Sequence, residues 1–120
     1  MIDSMDEREG FIWMNGTFVP WKEAKIHVLT HTLHYGMGVF EGIRCYKISK
    51  GGAVFRLKDH IDRLFKSAKI FEIEIPFDEN VIFDAVIESI KKNSLHSCYI
   101  RPLVFYGPEK MGLSTKGCTV

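Results

Sequence analysis

Asn15-Gly16 stands between two β-prone runs, Phe11-Ile12-Trp13-Met14 and Thr17-Phe18-Val19-Pro20. A tight two-residue turn needs positive φ at both central positions, and this dipeptide supplies it, so the sequence predicts a β-hairpin over 11–20. Pro20 has no N–H to donate and must end its strand or lie at an edge. The first ten residues, MIDSMDEREG, read as a flexible tail. They lack the apolar core of a secretory signal, so the cytoplasm is the expected compartment.

Residues 21–38 mix helical and extended preferences and read as an irregular or helical connection closed by Gly36 and Gly38. Val39–Lys47 alternates as a strand. Phe40, Gly42, Arg44 and Tyr46 fall on one face, and Val39, Glu41, Ile43 and Cys45 on the other. Ser49–Gly52 reads as a turn into a short strand at 53–56, which makes a second hairpin. A helix is predicted over 59–70, with Asp59 as N-cap and an apolar stripe of Leu57, Ile61, Leu64, Phe65 and Ala68. His60, Arg63 and Ser67 form a polar line beside it. Phe71–Ile75 looks strand-like. A second helix runs from about Asp78 to Asn93, with Ile82, Ala85, Val86, Ser89 and Ile90 on one side. CYIRPLVFY at 98–106 forms the last clear strand and places Tyr99, Arg101, Leu103 and Phe105 together. Two hairpins followed by two helices and a strand predict an α+β two-layer sandwich: an antiparallel or mixed sheet with both helices on one face.

The chain has 120 residues, enough for one small domain or for a piece of something larger. Its 16 basic and 15 acidic residues form no basic stripe, so no nucleic acid is expected as partner. No apolar run approaches roughly 18 residues, so no membrane span is expected. Cys45, Cys98 and Cys118 are odd in number and far apart, which argues for reduced thiols rather than a disulfide framework.

Arg44 lies between Ile43 and Cys45, and Arg101 between Ile100 and Pro102. A guanidinium keeps its proton, so in an apolar setting it demands an anion or several acceptors. If their strands are neighbours, Phe40, Gly42, Arg44, Tyr99 and Arg101 could line one pocket for a small acid with an apolar side chain. The alternative is that each arginine ends a strand and reaches water. Arg63 lies one turn into its helix, where it could help hold a phosphate or simply be an exposed helix arginine. His27, His31 and His34 have helical spacing, but no carboxylate or thiol completes a site, and no metal is expected.

The segments HVLTHTLHYGMGVFEGIRCY, HIDRLFKSAKI and YIRPLVFYG resemble the N-terminal domain of a branched-chain amino-acid aminotransferase, a fold-type IV pyridoxal-phosphate enzyme. The resemblance runs from about Ile12 to Gly112, and residues 11–120 are accordingly taken as the small domain. D-amino-acid aminotransferases and aminodeoxychorismate lyases of the same fold usually carry Asp-Arg-Gly where this chain has Leu33-His34-Tyr35-Gly36, which favours the branched-chain branch over those two alternatives. The resemblance implies that Arg63 binds the phosphate of pyridoxal 5'-phosphate. It implies that Tyr35 and Phe40 wall the side-chain pocket, that Gly42 lies close to substrate, and that Tyr99 and Arg101 line the pocket, Arg101 receiving the distal carboxylate of glutamate. Arg44 is implied to support that polar region. Arg63 and Arg101 are thereby expected to share one hollow, half of a cleft.

The expected reaction is transfer of the amino group between leucine, isoleucine or valine and 2-oxoglutarate, in a homodimer or higher homo-oligomer. In this family the Schiff-base lysine belongs to a C-terminal domain that these residues do not match. No catalytic residue is therefore expected among the 120, and the chain by itself is expected not to transaminate. The competing expectation is a non-catalytic domain that self-associates through its exposed apolar surface.

Overall fold

The computed structural model describes residues 4–120. Residues 1–3 of the expected tail lie outside the described residues. Residues 5–7 form a 3-10 turn. The Trp21 indole N–H donates to the Met5 carbonyl at 2.6 Å, and Lys22 pairs with Glu9 at 2.7 Å, which ties this stretch to the residues after the first hairpin.

That hairpin forms as the sequence predicts. Strand β1 (Phe11–Met14) pairs antiparallel with β2 (Thr17–Pro20), and the turn residues Asn15 and Gly16 have φ of 51° and 94°. Pro20 ends its strand. The connection contains a 3-10 turn at Trp21–Glu23 and a short helix α1 (His31–Tyr35), closed by Gly36 at φ 72°.

The two long strands of the sequence reading are each broken in the middle. Val39–Lys47 divides into β3 (Gly38–Phe40) and β4 (Ile43–Ile48). Strand β4 turns at Ser49-Lys50 into β5 (Gly51–Val54), so both glycines belong to the strand and residues 55–56 do not. Residues 98–106 divide into β6 (Cys98–Ile100) and β7 (Leu103–Phe105). All pairings are antiparallel: β5-β4-β6 form one sheet and β3-β7 another. The register is continuous across the breaks, since Ile43 faces Ile100 and Phe40 faces Leu103. The two sheets are therefore one ribbon, interrupted where Glu41-Gly42 faces Arg101-Pro102. Glu41 N–H still donates to the Pro102 carbonyl at 3.1 Å. Pro102 has no N–H to return the bond, and the ladder stops there.

Helix α2 (Leu57–Ile70) starts two residues earlier than expected. Its N-cap is Arg56, in a left-handed conformation and without a side-chain cap. Asp59 instead pairs with Arg56 at 2.8 Å. Phe71–Ile75 is not a strand; Glu72 at φ 56° turns the chain there. Helix α3 (Glu79–Lys92) is capped by Asp78, whose carboxylate accepts from the Val81 N–H at 3.0 Å. Asp78→Ala is expected to lower stability by about 1 kcal/mol in urea unfolding, and no change would contradict the cap.

The helices pack on each other, α2 also on β3 and α3 on β1. Leu57, Ile61, Leu64 and Ala68 of α2 and Ile82 and Val86 of α3 meet Val39 and Ile43 of the ribbon in one core. The architecture is the expected α+β sandwich, with its helices on the inward face of the ribbon. Cys45, Cys98 and Cys118 are free thiols, and Cys45 and Cys98 face each other across β4 and β6.

Candidate functional site

Alternation survives the break in the ribbon. Val39, Glu41, Ile43 and Cys45 are buried, while Phe40, Arg44 and Tyr46 are exposed. A carboxylate is thus carried into the helix-facing side of the ribbon, where Glu41 is only 4% exposed. A buried charge must be paired and hydrogen-bonded, and α2 supplies the partners three residues apart. Arg63 Nε donates to Oε1 at 2.5 Å and Nη2 to Oε2 at 2.8 Å. His60 Nδ1 is 2.9 Å from Oε2. The Arg63 hydrogen bond outweighs the burial that opposes it and, helped by His60, holds the Glu41 carboxyl down at about 2.

Arg63 keeps most of its side chain in solvent, 67% exposed. Together with Phe55, Arg56, Asp59 and His60 it lines a hollow of about 320 Å³. Its Nη1 and one proton of Nη2 have no acceptor among the described residues.

The outward face of the ribbon carries a second feature. The Arg101 guanidinium stacks 4.1 Å from the Phe40 ring centre and 5.3 Å from that of Tyr99. Its Nη2 donates to the Tyr99 hydroxyl at 2.6 Å. Gly42 makes this possible, because a Cβ there would lie 2.5 Å from that hydroxyl. Arg44 is directly opposite Tyr99 in the β4–β6 register. Phe40, Gly42, Tyr99 and Arg101 therefore form one platform, with an apolar surface and a cation fixed at its centre. Such a surface suits a molecule that is apolar along one part and anionic at its end.

Gly42→Ala is expected to push the Tyr99 phenol off Arg101. The neighbour is the tip of a flexible side chain, so the protein should still fold. A structure of the variant with that hydrogen bond unchanged would contradict the argument.

Two expectations need correction. Arg44 and Arg101 are not buried, so neither demands an anion on grounds of burial. The buried ion is Glu41, which the sequence reading placed on one face with Val39, Ile43 and Cys45 without saying which way that face points or assigning it partners. The signal was there: an acid in register with apolar residues, and His60 and Arg63 on one polar line. Arg101 is also absent from the lining of the hollow at Arg63. Arg101 lies instead in the cluster with Phe40 and Tyr99.

Tyr35 is placed elsewhere. Its hydroxyl accepts from the Gly112 N–H at 3.0 Å, and its ring lies 4.5 Å from that of His31. His31 is fully buried and donates from Nε2 to the Gly112 carbonyl at 2.7 Å. Both residues thus pin the 107–120 loop. His27 Nδ1 accepts from the Leu29 N–H, and His34 bonds the Val28 carbonyl.

Residues 38–120 match the family model described as amino-transferase class IV. The branched-chain-amino-acid aminotransferase of Pseudomonas aeruginosa is 53% identical over 117 residues, which is 98% of this chain and 38% of that protein. The enzyme of the same name from Escherichia coli K12 is 46% identical over 108 residues, 90% of this chain and 35% of its own length. The chain thus spans a little over one third of these relatives. Among solved structures, a T.th. branched-chain amino acid aminotransferase complexed with N-(5'-phosphopyridoxyl)-L-glutamate superposes with a TM-score of 0.85 at 51% identity. The match covers 88% of this chain and 36% of that one.

Proposed function

Since the chain belongs to the class IV aminotransferases and matches the N-terminal region of branched-chain members, we propose that it forms the substrate-gripping part of an enzyme that exchanges amino groups between branched-chain amino acids and glutamate. The observation that carries this reading is Arg101, stacked on the apolar rings of Phe40 and Tyr99. Leucine, isoleucine or valine needs only the apolar surface. Glutamate carries a second carboxylate, which that surface alone would leave without a partner. The guanidinium and phenol supply the partners, and Gly42 leaves them room. Arg44, across from Tyr99, supports the same polar end.

The residues present also fit the phosphate of pyridoxal 5'-phosphate. Arg63 offers three N–H protons that no described group accepts, at a hollow that Arg56 also lines. When bound, this cofactor supplies the electron sink that amino-group transfer requires. The chain's own share is to fix the phosphate end through Arg63 and to orient substrate through Phe40, Tyr99 and Arg101. Tyr35 contributes indirectly, by holding the 107–120 loop at Gly112.

The lining of the Arg63 hollow contains no lysine. We infer that the lysine that engages the cofactor lies outside residues 1–120 and that these residues alone do not transaminate. Exposed Val28, Leu29 and Leu33 around α1 favour self-association, in keeping with a homodimer. Titration of the 120-residue protein with pyridoxal phosphate, followed by borohydride, tests the inference. The expected result is only scattered labelling of exposed lysines and no turnover of leucine with 2-oxoglutarate; stoichiometric trapping at one lysine together with turnover would refute it.

A further inference from the structure

We propose that Glu41 is a positioning residue for the phosphate-binding edge of Arg63. The proposal rests on the reading of Arg63 as the arginine that meets the phosphate.

An exposed arginine has a long, mobile side chain, and an anion that binds it must first order it. Arg63 is two-thirds exposed, and its guanidinium is held by Glu41 from below. The carboxylate takes Nε and Nη2 in a planar fork. That fork fixes the plane of the guanidinium as well as its place. It occupies one edge and leaves Nη1 and the second proton of Nη2, a pair of donors with the same forked geometry, for a second oxyanion. The carboxylate is fixed in turn. It is buried beneath the ribbon, and His60, 20% exposed, holds Oε2 from one helical turn away. The chain of support therefore runs from His60 to Glu41 to Arg63, and ends at the hollow.

A second effect opposes this one. The negative charge of Glu41 weakens the attraction between Arg63 and a phosphate. Solvent at the exposed guanidinium screens that repulsion. Loss of the fork would free the whole side chain, and positioning is the larger effect.

The test uses the purified protein with two probes, inorganic phosphate and pyridoxal 5'-phosphate, and with pyridoxal as a control that lacks the phosphate. Glu41→Gln is expected to weaken binding of both phosphate probes about tenfold and to leave pyridoxal unchanged, with Glu41→Asp recovering part of the loss. Unchanged or tighter phosphate binding in Glu41→Gln would overturn the proposal. Arg63→Gln separates it from the reading it rests on. If that variant binds phosphate as well as the wild type, the assignment of Arg63 itself fails. If only Glu41→Gln is silent, positioning alone fails.

Should Glu41→Gln not fold, the arginine side-chain NMR signals of the wild type decide. The Nε–H signal of Arg63 should stay in place and protected from exchange while phosphate moves its Nη signals. Displacement of the Nε–H signal by phosphate would show that Glu41 competes with the ligand and would overturn the proposal.

Discussion

Arg101→Leu in the holoenzyme is expected to lower kcat/KM for glutamate by about 100-fold and that for leucine by less than about tenfold. The asymmetry follows from the platform. On the proposed reading a leucine side chain would meet the faces of Phe40 and Tyr99, and replacing the stacked guanidinium by a methyl-bearing chain keeps an apolar neighbour there. Glutamate loses the cation of that contact group, and its distal carboxylate is left against apolar groups and one phenol. Sealed sites that read a polar group can discriminate by about 10⁴ to 10⁵. The smaller figure applies here because the Tyr99 hydroxyl, freed from Arg101, remains as a donor to the carboxylate. Equal losses for both substrates would show that Arg101 serves the fold or the reaction in general, and would remove the specificity role.

The second large effect concerns acid. Glu41 titrates at about 2 in the folded protein, against an ordinary value of 4.5, mainly through its hydrogen bond to Arg63. The folded state therefore favours the ionised carboxylate. Its contribution is fully present above pH 4.5 and is lost as the pH falls towards about 2. The pair is worth at most ~3 kcal/mol by this linkage, and less to the extent that the exposed Arg63 end is solvated. Urea unfolding of the wild type should show stability falling steadily across that window. Glu41→Gln should start lower at neutral pH and show a flatter decline. Asp62, lowered by Lys58, and Glu109, lowered by Thr119, titrate in the same direction, so the difference between wild type and variant isolates Glu41. Parallel curves would mean that the Glu41–Arg63–His60 group does not couple to folding.

Both effects involve residues within a few positions of one break in the ribbon, and that break shows what could be read from the chain. The hairpin at Asn15-Gly16, the apolar stripe of α2 and the start of α3 at about Asp78 depend on neighbours in sequence, and each formed where the sequence put it. The division of 39–47 into two faces was also legible, because a pleat alternates whatever the strand pairs with. The break itself was not. Pro102 interrupts the ladder only because it lies opposite Glu41, a residue 61 positions earlier, and no local pattern says which strands will be neighbours. The start of α2 was missed for a related reason. Asp59 has the chemistry of an N-cap, but Arg56 turns the chain first and then takes Asp59 as its own partner.

By itself, then, the sequence determined the two-layer class, the sidedness of every long segment and the family to which the motif words belong. All of these rest on short-range chemistry and on identity of residues. Tertiary structure alone decided that Glu41 would be the buried ion with Arg63 and His60 closing on it. It alone decided that Arg101 would be exposed and stacked on Phe40 and Tyr99. Charge pairing is a matter of distance through space, and only the packing of α2 under the ribbon sets that distance.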